Sequence, residues 1–326
     1  MNETAYPLLS RGFLRSYLIT MRPYLLFISG TAGIVGLAFI EEPSIIRVIL
    51  AFIPLFLSYG LGQALTDCFQ IDTDAISAPY RPLVRGIISR KQVLSVSLTG
   101  LAVGILIMAY LNPKILIFGI LSVIGLLTYT SFKRTWWGGP PWNSWIVALL
   151  PIMGRLVDRE YQIKTIIRFG DSYSLAFFLS IIAIFFGYAN FVVMGYFKDI
   201  SADRRTGYRT FPVVFGWQPA AIYSDLTAMV VAVLTGSVLY LTGNLNIWGI
   251  VIFAIAVAVN LYAQIKIHQT RDESKTHGPI GNVVRAFILY CMAIIVTLKP
   301  NWLIFIAVFY LLFELTLKLR PEKSQV

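Results

Sequence analysis

Charge is scarce in this chain. Only 13% of its 326 residues are Asp, Glu, Lys or Arg, while 57% are hydrophobic; the charged share is about half that of an ordinary soluble domain. That balance excludes a water-soluble globule of this length. Cysteine and histidine are scarcer still. Cys68 and Cys291 lie far apart in apolar or junctional contexts without metal-ligand spacing, which argues against a disulfide framework or a zinc site. His268 and His277 are separated by a polar loop and have no partner pattern, so neither is read as a chemical residue. Acids are few as well: 16 Asp and Glu against 27 Lys and Arg, a net charge of +11. Basic loops on one side of a membrane explain that excess, and no nucleic-acid partner is expected. A short apolar core followed by small residues is missing from the N-terminus, so residues 1–22 read as a cytosolic arm and not as a cleavable leader.

What the chain has in abundance is apolar runs of membrane-spanning length. Candidate spans are Pro23–Ile40, Ile45–Leu65, Val93–Leu111, Ile115–Ser131, Trp142–Val157, Leu175–Phe197, Pro219–Leu241, Ile247–Ile267 and Val283–Leu298. A further run, Trp302–Leu317, follows a Lys-Pro-Asn break suited to a tight turn. The expected fold is an all-α polytopic membrane protein of nine or ten transmembrane helices, with residues 1–326 as one domain and 318–326 as a polar tail. Basic residues concentrate on the side of the N-terminus, from Arg11 and Arg15 through Arg81, Lys133, Lys198 and Arg204 to Arg271, which predicts a cytosolic N-terminus. The segment Asp158–Ser172 is amphipathic and predicts a surface-lying stretch.

The scarce acids are not spread evenly. The stretch "QALTDCFQIDTDAISAPYRPLVRG" follows the second span and holds Asp67, Asp72 and Asp74. Carboxylates beside a lipid-embedded helix are costly and are usually retained to hold something. On a continuous helix, Gln63, Asp67, Gln70 and Asp74 share one polar stripe, within roughly 60° of arc, and Asp72 points away. Oxygen-only donors on one stripe suit Mg²⁺, a hard cation commonly held by one or two carboxylates with substrate phosphates completing its shell. Arg81 and Arg85 follow, as expected if an anion lies near the metal. A second loop, "GYFKDISADRRTGYRTFPVVFGW", follows the sixth span. Asp199 and Asp203 stand four apart, on one helical face, with Lys198 before them and Arg204, Arg205 and Arg209 after. Gly207 is placed to end that short helix in a left-handed conformation.

One such loop is as readily a solvated ion-pair network. Two on the same face form the pattern of a diphosphate site, in which carboxylates hold Mg²⁺ and Lys and Arg neutralise phosphate oxygens. Because both loops cap apolar spans, the rest of the ligand is expected to be greasy, as in a prenyl diphosphate.

These residues resemble the motifs of the UbiA superfamily of intramembrane prenyltransferases. "DAISAPYRPLVRG", Asp74 to Gly86, and "KDISADRRTGYRTFPVVFG", Lys198 to Gly216, keep the family's spacing, and Arg22-Pro23 and "YTSFKR", Tyr129 to Arg134, are similar to its first and fourth spans. Aligned on Asp74, the family's Asn and middle Asp fall on Thr66 and Gln70, so the first loop has one carboxylate fewer. The resemblance implies a bundle around a central cavity capped by two acidic loops on the cytosolic side. It implies Mg²⁺ held by Asp67, Gln70 and Asp74 on one side and by Asp199 and Asp203 on the other. Arg22, Arg81, Lys133 and Lys198 would neutralise the leaving diphosphate, and Tyr129 would shield an allylic cation through its ring face. The implied partners are a prenyl diphosphate, an aromatic or other lipophilic acceptor, and membrane lipids. A terpene cyclase on the same fold, and a membrane transporter or lipid-binding protein, are the alternative readings. Transporters place ion sites near the bilayer midplane, whereas these acids stand at span ends.

Overall fold

The computed structural model describes residues 5–161 and 171–322. Fourteen helices follow one another among the described residues: α1 Arg11–Met21, α2 Leu26–Ala38, α3 Ile45–Asp67, α4 Ile71–Ser77, α5 Arg90–Leu111, α6 Ile115–Lys133, α7 Gly139–Arg155, α8 Ser172–Tyr196, α9 Ile200–Arg205, α10 Phe211–Phe215, α11 Trp217–Leu241, α12 Ile247–Thr270, α13 His277–Leu298 and α14 Leu303–Lys318. Eight are long and apolar enough to cross a membrane singly, and α1 with the Pro23–Ala38 stretch, bent by 45°, makes a ninth. The 17-residue α7 is the remaining expected run. The Trp302–Leu317 run is realised as α14, after one 3₁₀ turn at Pro300–Trp302.

The first span begins earlier than the sequence suggests and is broken. Pro23 cannot continue a helix through its missing N–H and disfavours helical geometry in the residue before it. Arg22 accordingly takes a left-handed conformation, φ 52°. That kink turns the Arg22 side chain into the protein, where it is 7% exposed.

Two spans form the centre. The apolar windows of α13 and α8 are 89% and 72% buried, against 22–39% for the other single spans, and every residue of α2 is buried. With no water to drive helix association inside a bilayer, close packing carries it. A Cβ on Gly36 would collide with the backbone oxygen of Pro151, and one on Gly154 with that of Gly33. Glycine thus lets α2 and α7 approach backbone to backbone.

The two ends of the bundle differ. At one end Tyr6 N–H donates to Ile87 O at 3.0 Å, Arg209 N–H to Arg134 O at 3.0 Å and Arg134 to Asp72 at 2.9 Å. Ser201 and Glu273 also meet there. This gathers the N-terminal arm, both acidic loops and the α12–α13 connection. At the other end Arg47 donates to Val157 O, Asn112 to Leu156 O, and Lys299 to Glu41 O. The sorting matches the one read from loop charge. The amphipathic reading of Asp158–Ser172 falls chiefly on residues 162–170, outside the described residues.

Candidate active site

The four-residue spacing of the first loop does not run along one helix. α3 ends at Asp67, the chain tightens through three successive i→i+3 hydrogen bonds (Cys68 to Leu65, Phe69 to Thr66, Gln70 to Asp67), and α4 begins after Gln70. The single stripe is therefore corrected to two helix segments joined by a tight turn. The outcome for the side chains survives: Gln63, Asp67, Gln70 and Asp74 all line one cavity. Asp72 points away from it, half-exposed, towards Arg134 at 2.9 Å and the Tyr208 hydroxyl at 3.2 Å.

The second loop is likewise two pieces. Asp199 precedes the short helix α9 and faces the cavity; Asp203 lies inside α9, fully buried, and is not among the cavity's lining residues. The shared helical face expected for the pair is thus not realised. Asp203 accepts from the hydroxyls of Thr73 and Thr210, each at 3.2 Å, and its carboxylate lies 4.0 Å from the Lys133 ammonium. It joins α4, α6 and α9. Burial pushes its carboxyl up to about 6, with Asp199 adding to the rise and Lys133 and both threonines opposing it. Gly207 ends this loop helix with φ 77°, as expected.

The cationic residues converge on the same space. Arg22, Arg81, Lys133 and Lys198 all line the cavity. Arg22 donates twice to Asp67, at 2.9 and 3.1 Å, and Gln63 donates to it at 2.7 Å. Arg81 pairs with Asp74 and stands 3.7 Å from Asp67. Lys133 donates to Gln70 Oε1 at 2.8 Å. Burial raises the Asp74 carboxyl above its ordinary range against the pull of Arg81. The Arg81 guanidinium is opposed by burial but held above its usual value by Asp74 and Asp67. Burial pushes the Lys198 ammonium down to about 8, with Asp199 working the other way. The Nε atoms of Arg22 and Arg81 are buried without a hydrogen-bond partner among the described residues, so both guanidiniums hold donor capacity in reserve.

Does Mg²⁺ fit this donor set? Among the described residues no three His, Cys, Asp or Glu side chains cluster into an all-protein metal cage. Hard oxygen donors nevertheless line the cavity, and Asp67, Gln70 and Asp74 each contact a basic side chain there. That chemistry fits a cation held by one or two carboxylates and completed by an anionic substrate. Asp67, Gln70, Asp74 and Asp199 are placed for this, while Asp203 is engaged behind them.

Below the charged mouth the cavity turns apolar, with Leu25, Leu126, Ile146, Leu150, Phe191 and Val192 in its wall. Tyr129 lines it, its hydroxyl 3.4 Å from that of Tyr196. Lys133 lies 5.7 Å from the Tyr196 ring centre and 5.3 Å from that of Tyr208. Tyr59, Tyr188, Tyr196 and Asn143 also line the cavity. Sequence reasoning missed these four, since each sits in an apolar span like many other aromatic or small polar residues.

A model of the UbiA prenyltransferase family matches residues 26–280. The chain is 26% identical over 218 residues to digeranylgeranylglyceryl phosphate synthase of Pyrococcus abyssi, covering 65% of this chain and 73% of that one. It is 25% identical over 269 residues to the enzyme of the same name from Thermococcus kodakarensis, covering 81% and 90%. A UbiA homologue from Aeropyrum pernix superposes with a TM-score of 0.71 at 20% identity, over 83% of this chain and 96% of that one. A UbiA homologue from Archaeoglobus fulgidus bound to DMAPP and Mg²⁺ superposes at 0.62, with 20% identity, over 86% and 99%. At such identities the likeness to the solved structures is one of fold.

Proposed function

The chain belongs to the UbiA prenyltransferase family and is a membrane prenyltransferase; on that premise we propose that it moves a prenyl group from a prenyl diphosphate to a lipid glyceryl phosphate, with Mg²⁺ bound at the two acidic loops. One observation carries the reading: Asp67, Asp74 and Asp199 meet Arg22, Arg81, Lys133 and Lys198 in one cavity that also has apolar walls. The glyceryl phosphate acceptor is favoured over an aromatic one because the relatives matched are named digeranylgeranylglyceryl phosphate synthases. The same names give the cyclase alternative no support.

In this reading Asp67, Gln70, Asp74 and Asp199 hold Mg²⁺, which supplies charge neutralisation for the diphosphate. Asp203 supports the site by fixing Lys133 and Thr73. Arg22, Arg81, Lys133 and Lys198 bind the diphosphate oxygens, and their attraction grows as the C1–O bond breaks and the electron pair leaves with the diphosphate. Tyr129 and Tyr196 present ring faces where positive charge develops on the allylic carbon. The acceptor hydroxyl oxygen forms the new C–O bond, and its proton leaves with the diphosphate. Apolar walls seat the prenyl chain and keep water from the cation.

The test is direct. Reconstituted protein is incubated with a prenyl diphosphate and either a monoprenyl glyceryl phosphate or an aromatic acceptor, with Mg²⁺ and with a chelator. Mg²⁺-dependent ether formation supports the reading; product only with the aromatic acceptor, or undiminished turnover under chelation, rejects it. The acidic loops face the cytosol in this reading, as the basic bias at that end suggests. A cysteine placed at Ser77 is then labelled by an impermeant thiol reagent from the cytosolic face; labelling from the outer face alone would reverse the orientation.

A further inference from the structure

Beside the main cavity, at the same end of the bundle, lies a smaller polar one. Ser77 and Tyr80 reach it from the end of α4 and the turn after it, Glu273 from the α12–α13 connection, and His277 from the start of α13. Arg81, Lys198 and Asp199 line both cavities and form the partition between them. None of this was flagged by the sequence, where His277 looked chemically silent.

The smaller cavity is equipped for an anion. Of its two acids, Glu273 is already used: its carboxylate accepts from the Ser201 N–H at 3.0 and 3.1 Å and from the Ser201 hydroxyl at 2.6 Å. The other, Asp199, faces the main cavity as well. Donors dominate what is left. Arg81 is about nine-tenths buried, and its Nε has no hydrogen-bond partner among the described residues. The Nδ1 of His277 is buried and equally without one. A buried polar nitrogen left unpaired is costly, and two of them at one recess point to a ligand that satisfies them. Lys198, Tyr80 and Ser77 also line the recess.

Position narrows the ligand further. In a glyceryl phosphate the phosphate and the free hydroxyl sit on one three-carbon backbone. A site that presents that hydroxyl to the prenyl carbon must therefore hold the phosphate immediately beside the diphosphate site. It must also keep the two anions apart with a cationic wall. The Arg81–Lys198 partition satisfies both conditions.

We propose that the recess formed by Tyr80, Arg81, Lys198 and His277 is the acceptor-phosphate subsite, holding the phosphate of a prenylated glyceryl phosphate while its hydroxyl faces the main cavity. This rests on the acceptor reading given above. Tyr80 and His277 are the informative positions, because they line the recess and not the main cavity.

The experiment uses the full chain in vesicles, with His277→Ala and Tyr80→Phe as separate variants. Two acceptors are compared, a monoprenyl glyceryl phosphate and the same lipid lacking phosphate. Loss of a hydrogen bond to a charged group predicts a rise in KM for the phosphorylated acceptor of roughly 10- to 100-fold. The preference for the phosphorylated lipid shrinks by a similar factor, while KM for the prenyl diphosphate stays within about twofold. Glycerol phosphate competes with the acceptor in the parent chain and more weakly in both variants. An unchanged acceptor KM in both variants, with the parent using the phosphorylated lipid, overturns the subsite and leaves the acceptor reading standing. A parent chain that uses only the phosphate-free lipid or an aromatic acceptor overturns both. A simultaneous collapse of prenyl diphosphate binding in both variants also counts against the subsite, because it assigns these residues to the shared scaffold.

Discussion

The Lys133 ammonium donates to the amide oxygen of Gln70 at 2.8 Å, tying the end of α6 to the junction of α3 and α4. Gln70 stands where the family pattern has a carboxylate, and here it offers a neutral oxygen to a cation. Gln70→Asp is expected to remain active, since the geometry already accommodates a cation–oxygen contact. A carboxylate also binds a hard cation better than an amide oxygen. The Mg²⁺ concentration for half-maximal rate should fall, by up to about tenfold for 1.4 kcal/mol of added attraction. A Mg²⁺ titration of diphosphate release checks this, and a rise would mean that the new charge is consumed by Lys133.

Asp67 is 3% exposed and stands between Arg22 and Arg81. Removing one partner from a buried ion pair leaves uncompensated charge, at a cost of about 3–5 kcal/mol. Asp67→Ala is therefore expected to lose stability as well as at least 10- to 100-fold in rate, the scale of a lost metal ligand or its support. Asp67→Asn keeps the shape and should lose rate with a smaller drop in melting temperature in detergent. Near-parent turnover in both variants would remove Asp67 from the site.

Asp72 makes the contrasting case. Its carboxylate and Arg134 have side chains 42% and 49% exposed, where ion pairs contribute about 0–1 kcal/mol. Asp72→Ala is expected to keep turnover within about threefold of the parent and to leave the Mg²⁺ requirement unchanged. A dead Asp72→Ala variant, measured beside an active Asp67→Ala, would invert the assignment of the first loop.

That contrast shows what a sequence can carry. Helical spacing separated Asp72 from Gln63, Asp67, Gln70 and Asp74 even though the helix is interrupted. The interruption is invisible because residues 66–71 contain neither Gly nor Pro; tertiary contacts hold the turn, ion pairs from Arg22 and Arg81 at Asp67 and a hydrogen bond from Lys133 at Gln70. The same spacing argument failed for Asp199 and Asp203. α9 is only six residues long, too short for periodicity to fix which side chain meets the cavity. The spans were legible because apolar length dominates their signal. The Arg22 kink was announced by Pro23, but its direction depends on α3 being there to receive the guanidinium. Tyr196 and Tyr59 were illegible because aromatic residues in a lipid-embedded helix face lipid, core or cavity with no difference in pattern.

The aromatic wall makes its own prediction. Tyr129 and Tyr196 are both buried, and their hydroxyls lie 3.4 Å apart. If their ring faces shield positive charge, Tyr129→Phe retains the contribution and Tyr129→Leu loses it. A cation–π contact of about 0.5–2 kcal/mol corresponds to roughly a 2- to 30-fold fall in kcat for the Leu variant. Equal rates for the Phe and Leu variants would assign the ring to packing alone.

Arg285 and Glu314 form a two-point ion pair between α13 and α14, at 2.7 and 2.9 Å, joined by Tyr310 donating to Glu314 at 3.0 Å. Both residues lie within helices that have the length and apolarity of membrane spans. Ionisable groups within apolar spans are usually retained in pairs. α14 also packs Phe309 and Phe313 against Phe27 of α2, just beyond the Arg22 kink. Breaking the pair at one end should therefore loosen α14 and, through it, the cationic side of the cavity. Arg285→Leu is expected to destabilise the protein because Glu314 is left unpaired, by less than the full cost of a buried pair since both side chains are about a third exposed. Arg285→Leu combined with Glu314→Leu should recover most of that loss, since it leaves neither charge unpaired. Thermal unfolding in detergent, with diphosphate release measured in parallel, separates the outcomes. A double variant no more stable than the single one would show that the pair acts through shape and hydrogen bonding to Tyr310, not through mutual charge compensation.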